Sequence, residues 1–283
     1  MTTLAHSLVT SKGASPEKWV LVLHGILGSR SNWRGLARKV VAECPEWGAC
    51  LVDLRMHGDS GGYPPPHTVA AAAADLEALS GVLPGPVAGV LGHSFGGKVA
   101  LAYARSHSQD KLESLVLVDS NPGARPGGRG SEGSLTVLSM LGGLPRAWVS
   151  RDDFVEAVVA RGHSELLARW LAMNLAAMGD GYQLRLDLDA IADLLDDYFR
   201  TDLWSVLEAP PPAVRVELIV GGASSVFDAA DLRRAEAIAE ASGMVNLEVI
   251  ESAGHWVHVD APEALLTTWA KSLGGGTLGG GTV

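Results

Sequence analysis

Short, almost unbroken apolar runs alternate with longer amphipathic stretches along most of this 283-residue chain. Residues 18–23 read Lys-Trp-Val-Leu-Val-Leu, and 49–54, 86–91, 112–119, 214–220 and 245–250 are similarly short and rich in Val and Leu. Runs of that length and composition predict strands, and their near-continuous apolar character predicts burial on both faces. Between them, apolar residues recur every three or four positions near 32–42, 68–79, 97–102, 228–241 and 261–273, which predicts helices. This alternation implies an α/β architecture, a mostly parallel sheet with helices on both faces. Such sheets hold ligands at the carboxyl ends of their strands, so residues just after a strand carry the most chemical weight.

One interval breaks the pattern. From Asn121 to Pro212 the strand signal stops, opening on Pro122-Gly123-Ala124-Arg125-Pro126-Gly127-Gly128 and closing on Pro210-Pro211-Pro212. Amphipathic segments near 135–141, 151–161, 164–177 and 187–198 predict a helical cap over 122–212, inserted between core strands and dividing the core into 1–121 and 213–273. The cap is rich in Trp148, Trp170, Met173, Met178, Tyr182, Phe199 and Trp204; most are expected to glue it to the core, the rest to line an apolar pocket. Candidate pocket residues are Leu27, Trp148, Trp170, Met173 and Trp256. The glycine-rich tail, 274–283, has too few apolar side chains to order itself.

Composition narrows the picture further. Apolar residues make up 47% and charged residues 19%, the balance of a packed globular chain. A net charge of −10 disfavours nucleic acid and anionic membranes as partners. Two cysteines, Cys44 and Cys50, are too few for a disulfide framework or a structural zinc site, and read as buried thiols or one local disulfide. Residues 1–19 lack a basic segment followed by an apolar stretch and a cleavage site, so the cytoplasm is the expected compartment. No metal or cofactor is expected: the nine histidines show no His-Glu-x-x-His spacing, and no phosphate-binding loop occurs.

The chemistry centres on Gly92-His93-Ser94-Phe95-Gly96, a Gly-x-Ser-x-Gly between a predicted strand and a predicted helix. So sharp a turn exposes the serine hydroxyl and leaves no room for side chains at the two glycines. A helix-capping serine is the alternative. Further motifs are His24-Gly25-Ile26-Leu27-Gly28-Ser29 with Asn32-Trp33 following, Asp53-Leu54-Arg55-Met56-His57-Gly58-Asp59-Ser60, Leu117-Val118-Asp119, and Gly254-His255-Trp256-Val257-His258. In this order they span nearly the whole predicted core. The chain thereby resembles the α/β-hydrolases, in particular the small YbfF-type and ABHD-type serine esterases.

Beside the resemblance, each part of an acyl-transfer site has a candidate. Ser94 needs a base, and His255, in a loop before the last helix, supplies one. His258 is expected to be a hydrogen-bonding structural residue. Many α/β-hydrolases carry the acid after the strand that here is 214–220, yet Ala223-Ser224-Ser225-Val226-Phe227 holds no carboxylate. The resembling esterases place it one strand earlier with a serine at the later position, which points to Asp119 with Ser224 or Ser225; Asp228 is the reserve and otherwise reads, like Asp231, as a helix-starting residue. The Phe95 and Ile26 backbone N–H groups are the expected oxyanion donors, with His24 bracing the loop of Ile26. Arg55, His57 and Asp59 read as a structural turn, and Lys98 as solvated or ion-paired. The absence of aspartate at position 94 argues against haloalkane and epoxide hydrolysis. The expectation is a serine carboxylesterase for short or medium acyl esters or thioesters, acting through an acyl-enzyme. Carbon–carbon hydrolysis, cofactor-free perhydrolysis and a non-turnover ligand receptor are the alternatives, and oligomeric state is open.

Overall fold

The computed structural model describes residues 3–106, 112–125 and 132–274. In chain order its core comprises β1 (His6–Val9), β2 (Lys18–Leu23), α1 (Arg34–Glu43), β3 (Trp47–Val52), α2 (Val69–Ser80), β4 (Val87–His93), α3 (Phe95–Ser106) and β5 (Ser114–Val118). There follow α4 (Glu132–Gly142), β6 (Ala147–Trp148), α5 (Arg151–Val159), α6 (Glu165–Leu171), β7 (Leu175–Met178), β8 (Gly181–Leu184), α7 (Leu188–Arg200) and α8 (Trp204–Glu208). The chain then returns through β9 (Arg215–Gly221), α9 (Ala229–Ala241), β10 (Val245–Ile250), α10 (Val257–Asp260) and α11 (Pro262–Ser272). No helix among the described residues is long and apolar enough to cross a membrane.

Seven strands form the main sheet in the order β1-β3-β2-β4-β5-β9-β10. All pairs are parallel except β1 with β3. Burial on both faces explains the unbroken apolar runs. Leu21 and Leu23 of β2 and Leu115 and Leu117 of β5 face one core with α2, α3 and α7, whereas Val20, Val22, Val116 and Val118 face the other, packed by α1 and α11. Alternate residues thus serve opposite layers. The short strand β1 escapes an apolar-run criterion because it is an edge strand with exposed and half-buried positions.

The segment between β5 and β9 departs from the all-helical expectation. A helix over 164–177 is not found: α6 stops at Leu171, a 3-10 turn covers Ala172–Asn174, and β7 begins at Leu175. β6, β8 and β7 make a small antiparallel sheet. Its tight hairpin turns on Gly179-Asp180, with Gly179 at φ 58°, a geometry that matches strand twist and favours glycine. That dipeptide was the available signal, outweighed by the apolar spacing before it. The expected connector at 126–128 and the tail beyond 274 lie outside the described residues.

Lys98 overturns its expectation. It is wholly buried on α3, and its ammonium donates to the carbonyls of Gly123, Tyr198 and Thr201 at 2.8, 2.8 and 3.0 Å. Burial pushes this amine down to about 7, against the opposing pull of Asp202. One side chain of the core therefore binds both the outgoing and the returning ends of the inserted segment. Cys44 and Cys50 are buried thiols, Cys44 Sγ donating to Ala270 O at 3.8 Å, and burial pushes the Cys50 thiol up to about 12.

Candidate active site

Ser94 sits between β4 and α3 at φ 53°, in the left-handed region that L residues occupy at a cost. Crowding explains the flanking glycines. A Cβ on Gly92 would fall onto the carbonyl oxygen of Gly96, and one on Gly96 would lie 2.5 Å from the carbonyl oxygen of His24. The turn is held by the Ser94 N–H donating to Val118 O at 3.0 Å and by the Ser120 hydroxyl donating to Ser94 O at 2.6 Å. Phe95 opens α3, so its N–H has no intrahelical acceptor.

His255 follows β10, and its Nδ1–H donates to Asp119 Oδ2 at 2.6 Å. Asp119 is fully buried at the end of β5, at φ 42°. Its carboxylate gathers two more donors, Gly221 N–H at 3.1 Å and the Ser224 hydroxyl at 2.6 Å. Ser224 therefore lies in the turn after β9, the strand paired with β5, where it donates to the Asp119 carboxylate. Asp228 instead caps α9, accepting from Ala230 N–H and Asp231 N–H. The imidazole of His255 is about one-third exposed and lines the same cavity as Ser94. No hydrogen bond joins Ser94 Oγ to it among the described residues.

A layer of neutral histidines supports this pair. His93 Nε2–H donates to the carbonyl of His255 at 2.8 Å, with the two rings 4.8 Å apart. Burial drives His93 well below its ordinary range, and the neighbouring His255 and His258 add to the effect. His258 differs from expectation. It stacks on Trp33 at 4.8 Å, and its buried Nδ1 finds no hydrogen-bond partner among the described residues. Burial lowers it to about 4.

The loop carrying Ile26 passes close to the serine: a Cβ on Gly25 would lie 3.2 Å from Ser94 Cβ. His24 braces this loop, its Nε2 accepting from Leu54 N–H at 3.1 Å while Nδ1–H donates to Gly25 O at 2.7 Å. His57 reaches beyond its own turn to accept from Leu27 N–H at 3.1 Å, with Nδ1–H donating to Arg55 O. Each ring must be neutral to accept at Nε2, and burial lowers them to about 4 and about 3. Arg55 is spent on Asp75 and Pro66 O, and Asp59 on Arg30 and Arg185. The turn is thus structural, as its residues suggest.

A cavity of about 540 Å³ opens over Ser94 and His255. Core residues Ile26, Leu27, Trp33 and Trp256 meet Val137, Leu167 and Trp170 of the insert, and Trp170 contacts Trp256 with ring centroids 5.6 Å apart. Among the described lining residues the polar groups are hydroxyls, an amide and imidazoles, Asn32, Thr136, His163 and Ser225 among them, with no carboxylate, lysine or arginine. Two expected pocket residues lie elsewhere. Trp148 packs edge-on against Phe154 at 5.3 Å within the insert, and Met173 is two-fifths exposed beside Asn32. Trp148 belongs to β6 of the small sheet, and Met173 to the 3-10 turn that interrupts the helix expected over 164–177. Neither His163 nor the histidine layer was singled out from the sequence as part of this cavity.

A doubly wound sheet with a strained serine turn, a histidine held by a carboxylate at the end of the neighbouring strand and an inserted segment over both defines a family. The chain belongs to the alpha/beta hydrolase family, whose sequence profile matches residues 20–268. It is similar to sn-1-specific diacylglycerol lipase ABHD11 of Mus musculus, 29% identical over 272 residues, covering 92% of this chain and 81% of that one. Esterase YbfF of Escherichia coli (strain K12) is 28% identical over 255 residues, covering 90% and 92%. In fold the chain resembles the structure of a marine microorganism esterase, at TM-score 0.80 and 22% identity over 95% of this chain and 98% of the other.

Proposed function

We propose that this hydrolase is a serine carboxylesterase acting on uncharged esters or thioesters of short to medium acyl chain. The observation that carries the reading is the 2.6 Å Asp119–His255 contact, facing the same cavity as the serine held at φ 53°. His255, fixed with its proton on Nδ1, presents Nε2 to take the Ser94 proton as Oγ attacks the ester carbonyl. The tetrahedral oxyanion is held by the N–H groups of Phe95 and Ile26, each such donor contributing about 3–4 kcal/mol to the transition state. Collapse breaks the acyl–oxygen or acyl–sulfur bond as the imidazolium returns its proton to the leaving group. Water, deprotonated by the same imidazole, then attacks the acyl-enzyme and releases the acid and Ser94. ABHD11 and YbfF, named as a lipase and an esterase, support ester chemistry.

The cavity supports the substrate class. Its size is that of a small-molecule site, and its apolar walls suit an acyl chain. A substrate carboxylate brought there would lose its water without gaining a cation from the described lining residues, a cost of several kcal/mol. A panel of p-nitrophenyl esters from acetate to palmitate, run on wild type and Ser94→Ala, tests the proposal. Hydrolysis that peaks at short or medium chains and vanishes in Ser94→Ala is expected; activity surviving Ser94→Ala sinks it.

A further inference from the structure

The loop expected to supply the second oxyanion donor is held by a residue of the insert. Gly28 N–H donates to Gly25 O at 3.0 Å, so Ile26 and Leu27 form the centre of a tight turn. Leu27 sits there at φ 61°, where glycine is normally required. Left to itself, a leucine would relax out of this conformation by rotating the Ile26–Leu27 peptide, and the tight turn that fixes the adjoining Gly25–Ile26 peptide and its N–H would lose its shape. Both backbone polar groups of Leu27 are tied down. Its N–H donates to His57 Nε2 on the core side, and its carbonyl accepts from Asn174 Nδ2 at 2.9 Å.

Asn174 is built for that contact. It is 3% exposed at the end of the Ala172–Asn174 turn, and its own carbonyl accepts Arg185 N–H at 3.0 Å, closing the hairpin of β7 and β8. An amide buried to this degree is costly unless paired, and its Nδ2 donates to a strained peptide 147 residues earlier in sequence. We propose that Asn174 is a positioning residue of the reaction: the insert completes the oxyanion site by clamping Leu27, so transition-state stabilisation depends on the insert being docked. The inference rests on the serine esterase reading above.

Asn174→Leu and Asn174→Ala both remove the donor, the first keeping volume and the second minimising crowding. Active sites are counted by fluorophosphonate labelling, so that misfolded protein does not enter kcat. Per labelled site, kcat falls by about 10- to 100-fold, less than the loss of an entire donor, with KM for a neutral ester within about twofold. Affinity for a trifluoromethyl ketone, whose serine adduct carries an oxyanion, weakens by the same factor as kcat, while that for the product acid does not change. A packing role alone lowers the melting temperature and leaves both kcat per site and ketone affinity unaltered; that result in either variant overturns the proposal. Wild-type protein that neither labels nor hydrolyses any ester overturns the esterase reading itself, and the role of Asn174 with it.

Discussion

Replacing Asp119 by asparagine changes few atoms, yet the structure predicts a large kinetic effect. Three donors converge on this carboxylate: Gly221 N–H on Oδ1, and both the Ser224 hydroxyl and His255 Nδ1–H on Oδ2. An amide offers one acceptor and one donor group. The backbone N–H of Gly221 cannot reverse, so the asparagine oxygen stays with it and the NH2 takes the Oδ2 position. The Ser224 hydroxyl rotates to accept. His255 escapes a donor–donor clash only by moving its proton to Nε2, letting Nδ1 accept. That tautomer presents N–H to Ser94 and cannot remove its proton. Wrong-tautomer triads lose about 10⁴ in kcat, equivalent to about 5 kcal/mol at 1.36 kcal/mol per decade.

Asp228→Asn is the informative control. Asparagine caps helices as well as aspartate does, so α9 keeps its cap and kcat stays within about twofold. Steady-state hydrolysis of a p-nitrophenyl ester on both variants, with folding checked by thermal melts, decides the matter. Full activity in Asp119→Asn, or its loss in Asp228→Asn, refutes the tautomer argument and the assignment of the acid together.

Acid pH should destabilise the fold through its histidines. His24, His57 and His258 are held neutral, at about 4, 3 and 4, below the 6.5 of an unfolded chain, so the unfolded state binds more protons as pH falls below 6.5. Each costs about 2 kcal/mol at pH 5 relative to pH 7.5, together about 6 kcal/mol, and urea melts across that range would measure it; a flat stability contradicts the burial argument. Gly96→Ala forces a Cβ to 2.5 Å from His24 O and 2.9 Å from Leu23 O, and should cost more than 3 kcal/mol or abolish soluble expression. Lys98→Met leaves three buried carbonyls without this donor and should lower stability by about 2–4 kcal/mol at pH 6, read as a fall in the urea midpoint.

How much of this was legible beforehand follows from the sequence distance over which each feature is decided. The serine turn is local: Gly92 and Gly96 are required by contacts within the turn and with the adjacent strand β2, and five consecutive residues display it. The carboxylate facing His255 was accessible too, because Asp119 ends the strand paired with β4 and no acidic residue follows β9 within reach. Lys98 could not be read this way. A lysine one turn along a helix looks solvent-bound until its three acceptors, 25, 100 and 103 residues away, are folded onto it. Asn174 is the same case, since its meaning lies wholly in a carbonyl 147 residues earlier. The insert shows why such errors cluster. Its short strands and polar anchors gain their roles from the core they pack against, so apolar spacing over 164–177 suggested helix where a hairpin forms. Local pattern thus identifies groups with chemistry of their own, whereas residues that only hold those groups in place are defined by partners far along the chain. In this protein the second kind includes Lys98 and Asn174, which join the insert to the core around the serine turn, and His57, which holds Leu27 from the core side.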